Sequence, residues 1–226
     1  MMSAAARLHA RPRAVTGDSP AGRFTLDAIG GTRDSYLYVP PQYRADKPAP
    51  LVLLLHGAGG HAADGLALLR HLADDAGMIL VAPASAGHTW DIIARRTYGP
   101  DVALLDSALE HVFGQYAVDT AQLAIGGFSD GASYALTLGL ANGDLFTHVI
   151  AFSPGFIGPV QPEGEPKIFI SHGTRDTVLP VAPCSRQIVA RLRRAEYSVM
   201  YDEFEGGHEI PAVVGRFATD WFLGRV

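Results

Sequence analysis

Cysteine is almost missing from this chain. Cys184 stands alone among 226 residues, so no disulfide framework can form within one chain. With no motif around it, it reads as a packing residue. Basic charge is also short, with 18 Lys and Arg against 23 Asp and Glu for a formal net charge of −5. That balance disfavours nucleic acid or an anionic membrane as partner, since neither binds well without a basic patch. Arg191, Arg193 and Arg194 fall on an expected helix, where a solvated face explains them. No apolar run approaches the roughly 18 residues of a membrane span. Residues 1–20 carry arginines and prolines but no apolar stretch of signal-peptide length. The expectation is a flexible arm over 1–20, a single domain over 21–226 and a cytoplasmic location. The His-x-x-x-His and Cys-x-x-Cys spacings of metal sites do not occur. Nothing in the sequence fixes an oligomeric state.

What is present is a regular alternation. Residues 24–29 and 34–39 alternate apolar and polar around Gly30-Gly31-Thr32, predicting an antiparallel hairpin at the N-terminal side. Leu51 to Leu55 is continuously apolar, as a strand buried on both faces should be. From there helices and strands take turns. Helices are expected over 64–76, 100–116, 181–195 and 211–223, with another after residue 129. Strands are expected over 78–82, 123–128, 148–152, 167–171 and 199–204. Residues 84–99 and 153–166 read as loops, the latter too short for a lid domain. This order predicts an α/β fold, a mostly parallel twisted sheet with helices on both faces.

The chemistry centres on Gly127-Phe128-Ser129-Asp130-Gly131, a Gly-x-Ser-x-Gly motif between an expected strand and an expected helix. A serine on so tight a turn is lifted above the sheet. Glycines two before and two after are needed where strand and helix come too close for a Cβ. The helix N-terminus behind it presents free N–H groups and a positive dipole end. Ligands bind beyond the carboxyl ends of strands in such sheets, so an acid and a histidine are sought after later strands. Asp176 follows the 167–171 strand within His172-Gly173-Thr174-Arg175-Asp176, and His208 follows the last strand within Gly206-Gly207-His208. A serine hydroxyl becomes nucleophilic when a neutral imidazole takes its proton and a carboxylate holds the ring in the productive tautomer. Ser129, Asp176 and His208 are the candidates for those roles.

Among the other histidines, His56 reads as a structural ring beneath the loop after Leu55. His172 reads as near the site but not the base. His71, His111 and His148 suit solvated or packing roles, and His61 and His88 are minor substrate-contact candidates. Asp202, Glu203 and Glu205 compete with Asp176 but read as surface charges beside the last strand. An oxyanion needs two converging N–H donors. Asp130 and Ala58 are the candidates, with Gly59 as the fallback. The Asp130 carboxylate should point away from the oxyanion, toward the helix N-terminal amides. Trp90, Phe156 and Leu179 lie in loops on the active side and are candidates to wall an acyl pocket.

The motifs Leu55-His56-Gly57-Ala58-Gly59-Gly60, Gly126-Gly127-Phe128-Ser129-Asp130-Gly131-Ala132, His172-Gly173-Thr174-Arg175-Asp176 and Gly206-Gly207-His208 together resemble the α/β-hydrolase superfamily. More narrowly the chain is similar to its small carboxylesterase/phospholipase group, which includes polyhydroxybutyrate-depolymerase-like and acyl-protein-thioesterase-like esterases. The resemblance implies an α/β-hydrolase fold, Ser129, Asp176 and His208 as a triad, and no cofactor. It also implies cleavage of carboxylic esters of small acyl or aryl groups through an acyl-enzyme. Thioesterase-like members often carry Gln after the serine and a Gly-Leu-Gly-Asp oxyanion loop. Here Asp130 and Ala58-Gly59-Gly60 stand in those places, which favours simple carboxylester hydrolysis. A thioesterase or lysophospholipase-like hydrolase, an acyltransferase and a non-catalytic binding module are the alternatives.

Overall fold

The computed structural model describes residues 4–15, 17, 19–26 and 33–226. Its centre is an eight-stranded sheet of β1 (Gly22–Thr25), β2 (Tyr36–Val39), β3 (Ala49–Leu55), β4 (Ile79–Ala82), β5 (Val118–Phe128), β6 (His148–Phe152), β7 (Lys167–Gly173) and β8 (Val199–Phe204). The strand order is β1-β2-β4-β3-β5-β6-β7-β8. β1 and β2 pair antiparallel, and β2 runs antiparallel to β4. Every pairing from β4 to β8 is parallel. The expected turn at Gly30-Gly31-Thr32 lies outside the described residues.

Seven α-helices flank the sheet among the described residues: α1 (Ala62–Ala67), α2 (Arg70–Ala76), α3 (Asp91–Arg95), α4 (Pro100–Gln115), α5 (Asp130–Ala141), α6 (Gln187–Arg194) and α7 (Ala212–Phe222). The period of two along β3 assigns its side chains. Leu51, Leu53 and Leu55 join the core made with α4, α5 and α6, while Val52 and Leu54 join the core made with α2 and α7. Both faces are covered, which is why the strand reads as an unbroken apolar run.

Three segments differ from the sequence reading. The helix expected over 64–76 breaks at Leu69, where φ is −129° and ψ is 4°. The break lets Leu66, Leu69 and Leu72 all reach the core. Within the stretch read as loop, α3 and α4 cap one another. Asp101 Oδ2 accepts the Asp91 N–H at 2.7 Å, and Asp91 Oδ2 accepts the Gly99 N–H at 2.7 Å. A five-residue helix held by distant carboxylates has no periodicity to read.

The third segment is residues 5–15, expected as a flexible arm. They are laid along α4 and α5 instead. Ala6-Arg7-Leu8-His9-Ala10-Arg11 alternates with period two, so Ala6, Leu8 and Ala10 are buried while the polar residues face outward. Asn142 clasps the arm, accepting the Leu8 N–H at 2.8 Å and donating to the Ala6 carbonyl at 2.9 Å. Arg7 and Arg11 both reach Asp144, and Arg13 reaches Glu110.

Candidate active site

β5 runs through the sheet centre and ends at Phe128; α5 begins at Asp130. Ser129 between them has φ 57° and ψ −119°, a sparsely populated positive-φ conformation that costs a non-glycine residue about 1–3 kcal/mol. Its neighbours hold it there. The Ser129 N–H donates to the Phe152 carbonyl at 2.9 Å. A Cβ on Gly127 would sit 2.5 Å from the Gly131 carbonyl carbon, and one on Gly131 would sit 2.1 Å from the Leu55 carbonyl oxygen. Both glycines of the motif are therefore steric requirements of strand and helix meeting at the end of β3.

Two elements along, β7 and its turn deliver Asp176, whose side chain is fully buried. Its Oδ1 accepts the Val178 and Leu179 N–H groups, each at 2.8 Å. Its Oδ2 accepts His208 Nδ1–H at 2.6 Å. Burial pushes the Asp176 carboxyl up, but the bonds from His208, Leu179 and Val178 outweigh it and the pKa is lowered. His208 stands past β8 with its ring 4.6 Å from that of Phe128, the residue before Ser129. Because the carboxylate only accepts, Nδ1 of His208 carries the hydrogen. Serine, aspartate and histidine expected from separate strand ends thus stand at one end of the sheet. Ser129 Oγ makes no hydrogen bond among the described residues.

Two of the three competing acids are engaged elsewhere, Glu203 with Arg186 at 2.7 Å and Glu205 with Arg175 at 2.5 Å.

A second histidine lies against the acid. His172 is completely buried, and its Nε2 lies 2.7 Å from the Leu179 carbonyl and 3.2 Å from Asp176 Oδ2. A carbonyl cannot donate, so Nε2 carries the hydrogen, and Nδ1 pairs with Ser185 Oγ at 2.6 Å. The sequence placed His172 near the site; its close approach to the acid was not visible there.

The loop after β3 approaches Ser129 closely, since a Cβ on Gly57 would lie 3.5 Å from Ser129 Cβ. Gly59 N–H is used by the His88 carbonyl at 2.8 Å, and Gly60 N–H by the Gly57 carbonyl. Ala58 N–H has no partner among the described residues, which favours it over the Gly59 fallback. His56 lies beneath, donating from Nδ1 to Gly57 O at 2.7 Å and accepting Ser85 N–H at Nε2. Burial lowers its pKa and keeps it neutral. Asp130 turns its carboxylate to the Thr89 hydroxyl at 2.6 Å rather than to the helix amides.

Trp90 does not wall a pocket. It is completely buried, donates its indole N–H to the His56 carbonyl at 2.9 Å and stacks on Tyr134 at 5.3 Å. Leu179 holds Asp176 and His172 through its backbone. The cleft that touches His208 lies on the other side, about 360 Å³ in volume, between Leu68, His71, Phe128, His208 and Ile210. Apart from Phe128 at the end of β5, its residues come from α1, α2 and the link between them and from the run into α7, which looked in sequence like helix surface and turn.

Among the described residues no group of three or more His, Cys, Asp or Glu is placed to hold a metal ion. Nor is any helix among them long and apolar enough to cross a membrane.

The sheet order, the serine elbow and the positions of Asp176 and His208 define an α/β-hydrolase fold. The S-formylglutathione hydrolase of Staphylococcus aureus shares it, with a TM-score of 0.70 at 16% identity over 92% of this chain and 100% of that one. The model of the phospholipase/carboxylesterase family matches residues 102–219, just over half of the chain, and the chain belongs to that family. It is similar to feruloyl esterase C of Emericella nidulans, 30% identical over 73% of this chain and 62% of that one. It is also similar to the poly(3-hydroxybutyrate) depolymerase of Ralstonia pickettii, 31% identical over 63% of this chain and 33% of that one. The match takes in 56% to 67% of the length of the curated feruloyl esterases.

Proposed function

We propose that this protein is a cofactor-free serine esterase that cleaves carboxylic esters through an acyl-enzyme, with Ser129 as nucleophile, His208 as base and Asp176 as orienting acid. The observation that carries the reading is the 2.6 Å bond from His208 Nδ1 to a buried Asp176, beside a serine held at positive φ. That bond fixes the tautomer in which Nε2 can take a proton.

In the first half-reaction Ser129 Oγ attacks the ester carbonyl and its proton passes to His208 Nε2. The resulting oxyanion is taken up by the N–H groups of Ala58 and Asp130, and His208 then protonates the departing alcohol. In the second half-reaction water repeats the sequence on the acyl-serine and releases the acid. Asp176 stays ionised throughout, its lowered pKa suiting the charge that develops on His208. Ser129 and His208 need to come into hydrogen-bond contact only when substrate is bound, where such contacts commonly tighten.

The apolar cleft beside His208 supports a substrate with a compact apolar group, short- to medium-chain acyl or small aryl. The feruloyl esterase relatives favour the aryl end of that range. The test is turnover of p-nitrophenyl butyrate and methyl ferulate by wild type and Ser129→Ala. The variant is expected to lose roughly 10⁴-fold or more in kcat on any ester the wild type cleaves. Equal turnover by the two proteins rejects the assignment.

A further inference from the structure

A second depression, about 470 Å³, lies beside the segment that follows β6. Gly155, Phe156 and Ile157 form one wall, and Gln187, Arg191 and Arg194 of α6 form the other. Its size is that of a small-molecule site. In a chain of net charge −5 this groove carries the opposite sign. Arg186 is paired with Glu203, and Arg193 lies toward the Val199 carbonyl. Arg191 and Arg194 make no ion pair among the described residues, and no acidic side chain lines the groove. On the facing wall Phe156 is 37% exposed.

The inner end of the groove abuts the catalytic elements. Gly155 N–H donates to Ser133 Oγ at 2.9 Å, and Ser133 is one helical turn past Ser129. On its other side Gly155 meets Leu179, 3.4 Å from where a Cβ would stand, and Leu179 N–H holds Asp176. Gly155 therefore sits between the helix of the nucleophile and the loop of the acid. Phe152, whose carbonyl takes the Ser129 N–H, is four Cα steps from Phe156, at most about 15 Å.

We propose that this groove is a subsite for an anionic end of the ester substrate, a carboxylate or a phosphate. Arg191 and Arg194 hold the oxyanion and Phe156 lies against the apolar or aromatic part next to it. Guanidinium forks suit both anions through paired N–H···O bonds. The proposal rests on the reading of Ser129 as an ester-cleaving nucleophile, and it names the substrate class of that site.

Two measurements separate the proposal from that reading. In the first, phenylacetate and phenyl phosphate are titrated calorimetrically into wild type and into Arg191→Gln/Arg194→Gln, which needs no turnover. Wild type should bind at least one of them, with an affinity that falls between about 20 mM and about 300 mM salt. The double variant should bind it roughly fivefold or more weakly. A difference between the two probes tells which anion the groove prefers. Absence of binding, or equal binding by both proteins, overturns the subsite. In the second, KM is compared for mono-p-nitrophenyl suberate and its ω-methyl ester. The double variant should raise KM for the anionic ester alone, by the same factor, and leave kcat on p-nitrophenyl acetate within about twofold. A KM preference for the anionic ester that survives the double variant also overturns the subsite. Loss of all ester turnover in the wild type overturns the esterase reading instead.

Discussion

Ser129 can keep its φ of 57° because the two glycines around it leave no slack. Gly131→Ala would drive a methyl into the Leu55 carbonyl, so urea denaturation should show a loss of roughly 3 kcal/mol or more, the scale of overpacking in a rigid site. His172 is the residue whose role the sequence concealed. Its ring joins Ser185, Leu179 and Asp176, a constellation made only when the 173–179 loop folds back over β7. His172→Leu should lower kcat about 10- to 100-fold with KM within about twofold, the signature of a misplaced acid. His172→Gln, whose amide can still reach the Leu179 carbonyl, should restore part of that loss. A variant that loses stability in a thermal melt while keeping kcat would make His172 merely structural. The placement of Ser129, Asp176 and His208 at one end of the sheet was legible because chain order and strand ends constrain it. Trp90 was not, because a loop aromatic carries no periodicity to say whether it faces a cavity or the core.

The elements around the site are tied by polar contacts that no pattern announces. Thr89 donates to Asp130 at the start of α5, while the His88 carbonyl holds Gly59, one residue past Ala58. The 84–90 loop thereby connects both proposed oxyanion donors. Thr89→Val removes the first tie at nearly constant volume. It should cost about 1 kcal/mol in denaturant unfolding and lower kcat severalfold, with KM on p-nitrophenyl butyrate little changed; an unchanged kcat would separate this loop from catalysis. The helices α4 and α7 were read to within a residue because each repeats a period over several turns, and β3, β6 and β7 were found from their apolar runs, whereas β5, expected from residue 123, begins at Val118. The break at Leu69 and the five residues of α3 escaped because tertiary contacts set them: three leucines competing for one core, and two carboxylates capping across a loop. The cleft at His208 escaped for a related reason, as Leu68 and His71 are far in sequence from Ile210 and become its neighbours only through the sheet.

Across the whole molecule, the two cores and the packed N-terminal segment set stability. Removing residues 1–15 would expose the seat of Leu8 and leave Asn142 without its clasp. The transfer cost is about 1.5–3 kcal/mol and the orphaned amide adds about 1–3 kcal/mol. The melting temperature should fall by roughly 5–15 °C, while kcat at 25 °C is retained because this contact lies at the far end of α5. Unchanged melting would mean that the packing contributes nothing. Stability should also depend on pH through His148, packed against Trp221 and Phe222. Burial, with Lys167 adding, lowers its pKa from 6.5 to about 4. Its neutral ring is compatible with the fold above about pH 6.5. As the pH falls toward 4 the unfolded chain takes up a proton that the folded chain refuses, and stability is lost, by up to about 3 kcal/mol. His148→Gln should flatten that loss between pH 6.5 and 4 in urea melts; parallel curves for the two proteins would remove His148 as its cause. The central claim, that Ser129 is the activated nucleophile of an esterase, is tested most directly by fluorophosphonate labelling followed by peptide mass mapping. The prediction is one adduct per chain, on Ser129, strongly slowed in His208→Ala and absent in Ser129→Ala. An unlabelled wild-type chain, or an adduct on any other residue, would contradict it.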